Sequence, residues 1–232
     1  MAHEAVQHLR MIGSGRSGGG NFDKVRIIGE GSVNGELCCV SCKTRGNASF
    51  DGNVKAESFH AAGAVETAAH VKADRARVYG ELKMGGSLSA SHLKLRGALE
   101  AADSCRAEKM DAKGHVRAGG DVEAEGLSLK GGFTVGGLLN AEEMDVRLKF
   151  PSEAREVGGG RIRIARAFGG SRAVLLEVDT IEGDDVYVEY VKARVVRGNA
   201  VRIGPGCEIG TVEHAGRLKA DARSHVKQTM KR

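Results

Sequence analysis

From Val40 to Ala141 the chain can be written as six lines of seventeen residues without a gap: VSCKTRGNASFDGNVKA (40–56), ESFHAAGAVETAAHVKA (57–73), DRARVYGELKMGGSLSA (74–90), SHLKLRGALEAADSCRA (91–107), EKMDAKGHVRAGGDVEA (108–124) and EGLSLKGGFTVGGLLNA (125–141). The seventh place is glycine in all six (Gly46, Gly63, Gly80, Gly97, Gly114, Gly131) and the seventeenth is alanine in all six. Places 3, 5, 9, 11, 15 and 17 give 36 sites, of which 34 are apolar, the exceptions being Thr44 and Thr67; the other 66 sites hold only 9 apolar residues. A spacing of two within each pair puts alternate side chains on one face of a β-strand. The longer spacing between pairs marks a corner. Three short strands and three corners make one coil, and the pattern predicts an all-β, three-sided parallel β-solenoid in which each coil hydrogen-bonds the next.

Glycine suits the corners because they need positive φ or a close approach of neighbouring backbones, which a Cβ obstructs. A helical solenoid is excluded, since its repeats need 3.6-periodic segments of roughly 10 to 15 residues. Extending the frame backward places Gly29 in the seventh seat of Asp23 to Cys39; extending it forward places Leu148 there and then meets Pro151. About eight coils result, a rod of roughly 38 Å at a strand spacing near 4.8 Å. After Gly158-Gly159-Gly160 the pattern loosens, and Gly198, Gly204, Gly210 and Gly216 fall six apart. The expected organisation is a flexible N-terminal segment over 1–22, a β-helix over 23–157, a second, smaller β-solenoid-like module over 161–215 and a basic tail over 216–232.

Composition agrees with this. The chain has 232 residues with 34 Gly, 2 Pro, no Trp and 9 aromatics, and it is 41% hydrophobic and 28% charged. That is a globular composition, with a core too narrow for bulky aromatics. Collagen would need glycine at every third place with abundant proline, and no apolar run reaches the roughly 18 residues of a membrane-spanning helix. Residues 1–22 lack the continuous apolar core of a secretory signal, so the expected location is the cytoplasm. Val6, Leu9, Met11 and Ile12 form at most a weak amphipathic patch before the glycine-rich run Gly13 to Gly20.

The formal charge of +5 is unevenly placed: basic and acidic residues balance at 21 each over 1–160 and stand at 14 to 9 over 161–232. Arg217, Lys219, Arg223, Lys227, Lys231 and Arg232 face only Asp221 in the last stretch, and such a tail either stays solvated or, as an adaptor, touches an anionic membrane surface or, less expectedly, nucleic acid. Nucleic acid is not expected as a partner. The outward first place is an acidic column (Glu57, Asp74, Glu108, Glu125, Glu142), and the adjacent places 16 and 4 supply Lys55, Lys72, Arg106, Arg77 and Lys94, so neighbouring columns of opposite sign offset the like-charge repulsion along each.

Cys38, Cys39 and Cys42 contain a C-x-x-C spacing that could begin a metal site. The frame supplies another reading, because Cys39, Cys42 and Cys105 fall on inward places where a free thiol packs as a small apolar group. No cofactor or metal is expected. His60, His70, His92 and His115 occupy four different outward places and build no constellation. Without loop insertions over 102 residues there is no cleft to hold a substrate, so the array is not read as an enzyme. The enzymatic alternative is VRIGPGCEIG (201–210), similar to the hexapeptide repeats of acyltransferases, with His214 as its nearest general base.

The gapless array of Gly-cornered units with inward Val, Leu and Ala, flanked by non-repeating ends and followed by Pro151, resembles the bactofilins, polymer-forming bacterial cytoskeletal proteins. The resemblance covers Asp23 to Val157. It implies a right-handed β-helix that assembles end to end without nucleotide, often near the membrane, with roles in cell shape, envelope structures or motility. Its partners would be further copies of itself or a paralogous bactofilin, and its location the cytoplasm or the inner face of the membrane. The second module makes this a longer branch than the compact type. An end coil exposes unpaired backbone groups and an apolar cross-section. The expected assembly faces are therefore Val25 and Ile27 at one end and Met144, Val146 and Phe150 at the other.

Overall fold

The computed structural model describes residues 7–169 and 175–232. All regular structure in it is β, and no helix occurs among the described residues. The chain divides into two compact units, Met1–Ala107 and Glu108–Arg232.

The first unit contains β1 (His8–Phe50), β2 (Val54–Thr67), β3 (Val71–Met84) and β4 (Leu88–Ala101). β1 to β4 pair in parallel and in order, with every partner seventeen residues on, as in Leu37↔Val54, Val54↔Val71 and Val71↔Leu88. β2, β3 and β4 each bend through fourteen residues and are separated by three-residue corners like the Asp51-Gly52-Asn53 that precedes β2. All 36 sites on the inward places are buried except Ala124. Thr67 compensates its burial by donating to the Gly52 carbonyl and accepting from the Ala69 amide. Thr44 does not: its Oγ1 is buried without a hydrogen-bond partner among the described residues.

The seventh-place glycines all have positive φ, from +105° at Gly29 to +151° at Gly131. A Cβ on Gly80 would run into the Gly63 carbonyl oxygen, and one on Gly29 would lie 2.5 Å from that of Gly13. Gly13 thus belongs to the same column, with φ +85°, and the Asp23 amide donates to the Gln7 carbonyl across 2.9 Å. The stretch expected to be a flexible segment is therefore an additional coil from residue 7 onward; residues 1–6, including Val6, lie outside the described residues. Its glycines are a packing requirement: Gly19 lies against the Gly35–Glu36 backbone, and the Met11 side chain fills the space beside Gly15 and Gly31.

β5 (Cys105–Ala118) contains the unit boundary, and the second unit continues with β6 (Val122–Leu148), β7 (Ser152–Arg166), β8 (Leu176–Val188), β9 (Val191–Ile203), β10 (Glu208–His214), β11 (Leu218–Ala220) and β12 (His225–Lys231). These too pair in parallel, but the period varies: Ser152↔Leu176 is 24 residues, Leu176↔Val191 is 15 and Lys192↔Glu208 is 16. No distinct second module is present. Gly158 and Gly159 lie inside β7, paired to Glu182 and Gly183, and a Cβ on Gly159 would strike the Ala141 carbonyl. The glycine triplet marks a close approach between coils. The six-spaced glycines serve the same winding, with Gly198 against Gly183, Gly204 against Val188 and Gly210 against Arg194. The described residues hold about 11 turns rather than eight.

The corner column supplies a test. Gly80→Ala should cost about 2 kcal/mol or more through positive φ and backbone overlap, whereas Gly126→Ala, where nothing lies within 4 Å of the new Cβ, should be nearly neutral. Urea unfolding followed by circular dichroism measures both.

Candidate functional site

The expected assembly residues do not lie on open ends. Val25 and Ile27 are buried beneath the coil that carries Met11. Met144 and Val146 are in register with Ile162 and Ile164 of β7 and are equally buried. The expectation fails for these four because the winding continues past both presumed ends. Phe150 differs, being 54% exposed, but it stands on a corner. Lys149 and Phe150 both donate their amides to the Gly131 carbonyl, at 2.7 and 3.4 Å. Ser152 Oγ donates to the Phe150 carbonyl and accepts from the Phe133 amide, each at 3.1 Å. The seat of the corner glycine is here taken by Leu148, and the path bulges outward around it. Phe168, fully exposed, marks the equivalent corner one coil on.

The open edges lie elsewhere. In the first unit it is the coil from residue 7, where Ile12 is 62% exposed. In the second it is β12, which pairs with β10 alone among the described strands. β12 reads HVKQTMK, with Met230 the large apolar side chain exposed on it. The basic tail is thus part of the winding, as β11 and β12. Arg223 is committed to Asp221 through two contacts of 2.9 and 3.0 Å, and Arg232 to Glu213. Glu213 also accepts from Arg197 Nε at 2.9 Å, and Arg197 reaches Glu182. Hydrogen bonding from Arg197 holds the Glu213 carboxyl below its usual range. Arg217, Lys219, Lys227 and Lys231 are exposed and have no ion-pair partner among the described residues.

Two other electrostatic features went unnoticed in the sequence because they depend on register. On the outer face of β7 to β9, Arg163 and Arg202 lie over the Tyr187 ring at 4.8 and 5.5 Å from its centroid. Burial and its hydrogen bond to Glu189 push the Tyr187 hydroxyl up to about 12. In the first unit, burial and the nearby cations Lys43, Arg77 and Arg45 lower the His60 pKa, and His60 packs on Tyr79 at 5.5 Å.

An open groove of about 970 Å³ runs across β6 to β12, lined by Glu153, Glu177, Asp179 and Glu208 on the acidic side of the balance and Arg155, Lys192, Arg194 and Lys227 on the basic side. Lys192 and Glu177 lie 3.5 Å apart within it. No Phe or Tyr side chain among the described residues lines it, though His225 does. The segment VRIGPGCEIG ends β9, turns through Gly204-Pro205-Gly206 and starts β10, with Gly206 at φ +71° packed against Tyr190. His214 Nδ1 lies 3.0 Å from the Gly216 carbonyl. Among the described residues no group of three or more His, Cys, Asp or Glu side chains could hold a metal ion. Cys42 and Cys105 are buried on their inward seats, whereas Cys39 is only partly buried.

With this geometry established, two relatives in Bacillus subtilis (strain 168) can be compared. One, "Uncharacterized protein YhbF", is 50% identical over 227 residues, covering 97% of both chains. The chain belongs to the YhbF family. A second member, "Uncharacterized protein YhbE", is 46% identical over 235 residues, covering 98% of this chain and 99% of its own. No family model matches, and no solved structure matches. The near-complete coverage means that the relatives align with the end coils of this YhbF-family chain as well as with its regular array. No helix among the described residues is long and apolar enough to cross a membrane.

Two outcomes follow for this YhbF-family chain. Ile27→Arg should destabilise folding by about 3–5 kcal/mol by leaving an unpaired charge in the core, while Phe150→Arg should stay within about 0.5 kcal/mol of the parent; thermal unfolding compares them. Asp221, held down to about 2 by Arg223, contributes stability above its unfolded pKa that is lost as the pH falls toward 2. Carboxyl carbon NMR should place its midpoint near that value and show it rising in Arg223→Ala.

Proposed function

We propose that this protein is a structural scaffold of the bactofilin kind, a right-handed, three-sided β-helix that assembles end to end without nucleotide. The observation that carries this reading is the pair of strand edges left without a ladder partner among the described residues: the coil from residue 7 and β12 each offer a row of backbone groups, a template for another strand. The exposed apolar groups at those edges, Ile12 and Met230, take the place of the residues first assigned to assembly. A scaffold role also accords with groups that mostly neutralise one another along the outer faces. Such a polymer would serve cell shape, envelope structures or motility, with further copies or a paralogous relative as partners.

A second reading rests on the unpaired cations of the last coil. Arg217, Lys219, Lys227 and Lys231 sit on one terminal turn and would hold the scaffold against an anionic membrane surface, each basic residue near such a surface adding about 1 kcal/mol.

Sedimentation and negative-stain electron microscopy of the purified chain without nucleotide test the first reading. Filaments are expected, shortening to small oligomers in Ile12→Glu and in Met230→Glu. A monomer under all salt conditions, or filaments unaltered in both variants, overturns it. Co-sedimentation with phosphatidylglycerol vesicles tests the second: binding should fall with added salt and with Lys219, Lys227 and Lys231 replaced by Gln.

A further inference from the structure

Cys39 and Cys42 occupy the last inward seat of one side and the first inward seat of the next, with Val40 and Ser41 forming the corner between them. Inward side chains that flank a corner converge inside it. The same two seats hold Ala56 and Phe59 one coil on, then Ala73 and Ala76; in this coil alone both carry sulfur. The two thiols share a hydrogen bond, which lowers the pKa of Cys39 and, together with burial, raises that of Cys42. Access divides their roles, because Cys42 is fully buried while Cys39 is partly open to solvent and to an oxidant arriving from it.

The remaining cysteines contrast with the pair. Burial pushes the Cys105 thiol up to about 12, and Cys207 is buried with its Sγ donating to the Val188 carbonyl at 3.5 Å. Strand alternation turns Cys38 to the face opposite Cys39. The coil interior at this level is also unusual in polarity: Thr44, two residues from Cys42 on the same inward side, retains its unpartnered hydroxyl.

We propose that Cys39 and Cys42 are a reversible dithiol–disulfide site, with Cys39 the attacking sulfur, Cys42 the resolving one and a hydroperoxide the oxidant. Cys39 thiolate attacks one oxygen of hydrogen peroxide; the O–O bond breaks, and the departing hydroxide takes a proton and leaves as water, giving the sulfenic acid. Cys42 then attacks that sulfur and gives up its proton as the S–O bond breaks, releasing a second water. Two thiols and one peroxide become one disulfide and two waters, and a small thiol reverses the step by exchange. The site needs only the corner and does not rest on the scaffold reading.

The test is stoichiometric hydrogen peroxide on the fully reduced, full-length protein, followed by thiol counting and peptide mass mapping. The expected result is a fall from five free thiols to three, with the loss of two hydrogens located to a Cys39–Cys42 link and restored by dithiothreitol. Cys42→Ser should trap the sulfenic acid at Cys39, detectable with dimedone, and Cys38→Ser should leave the link intact. Five thiols surviving in peroxide, oxidation confined to Cys38, or linkage only between chains would each overturn the proposal.

Discussion

The contact on which the structure depends is that between the backbone of one corner and the backbone of the next. At the seventh-place column each glycine sits so close to the carbonyl of its predecessor that no Cβ fits, and its positive φ turns the chain through the corner. Because the ladder spacing is uniform, the same approach recurs in every coil of the first unit. A fixed period of seventeen follows: with the glycine and the inward places both bound to the stack, an inserted residue would displace one or the other.

Where that column ends, the constraint relaxes and the winding survives in altered form. After Gly131 the seat passes to Leu148, and the path swings out through Lys149 and Phe150. Close approach moves to another corner, formed by Gly159, Gly183 and Gly198. The later coils compensate by shortening to fifteen or sixteen residues. Phe50, Phe59 and Phe133 are buried inside the regular array, whereas Phe150 and Phe168 stand exposed on the corners that follow it.

The outer faces express the same stacking as electrostatics. Residues seventeen or so apart become neighbours, so Glu182, Arg197, Glu213 and Arg232 form a chain of ion pairs across successive coils. Exposed pairs of this kind contribute little individually. What they do is order a surface of mixed sign, while Arg217, Lys219, Lys227 and Lys231 on the terminal turn have no ion-pair partner among the described residues and leave charge available to another molecule.

The regular array was legible in the sequence because its signal is local and repeated: alternation sets which side chains face inward, and the spacing of Gly46 to Gly131 sets the corners. The inward seats of Val54, Leu82 and Met110 needed nothing more. The ends were not legible. GSGRSGGG reads as a linker by composition, and only the neighbouring coil, against which Gly13 and Gly19 pack, turns it into structure; the same holds for Gly158 to Gly160. The assembly residues failed for that reason, since Val25 and Met144 look terminal until the coils that cover them are placed. The contact between Cys39 and Cys42 across a corner likewise belongs to tertiary structure. Sequence alone determined the period and the inward face, because these follow from each residue's own backbone and side chain. The structure decided where the winding stops and which groups meet, because those depend on what the adjacent coil presents.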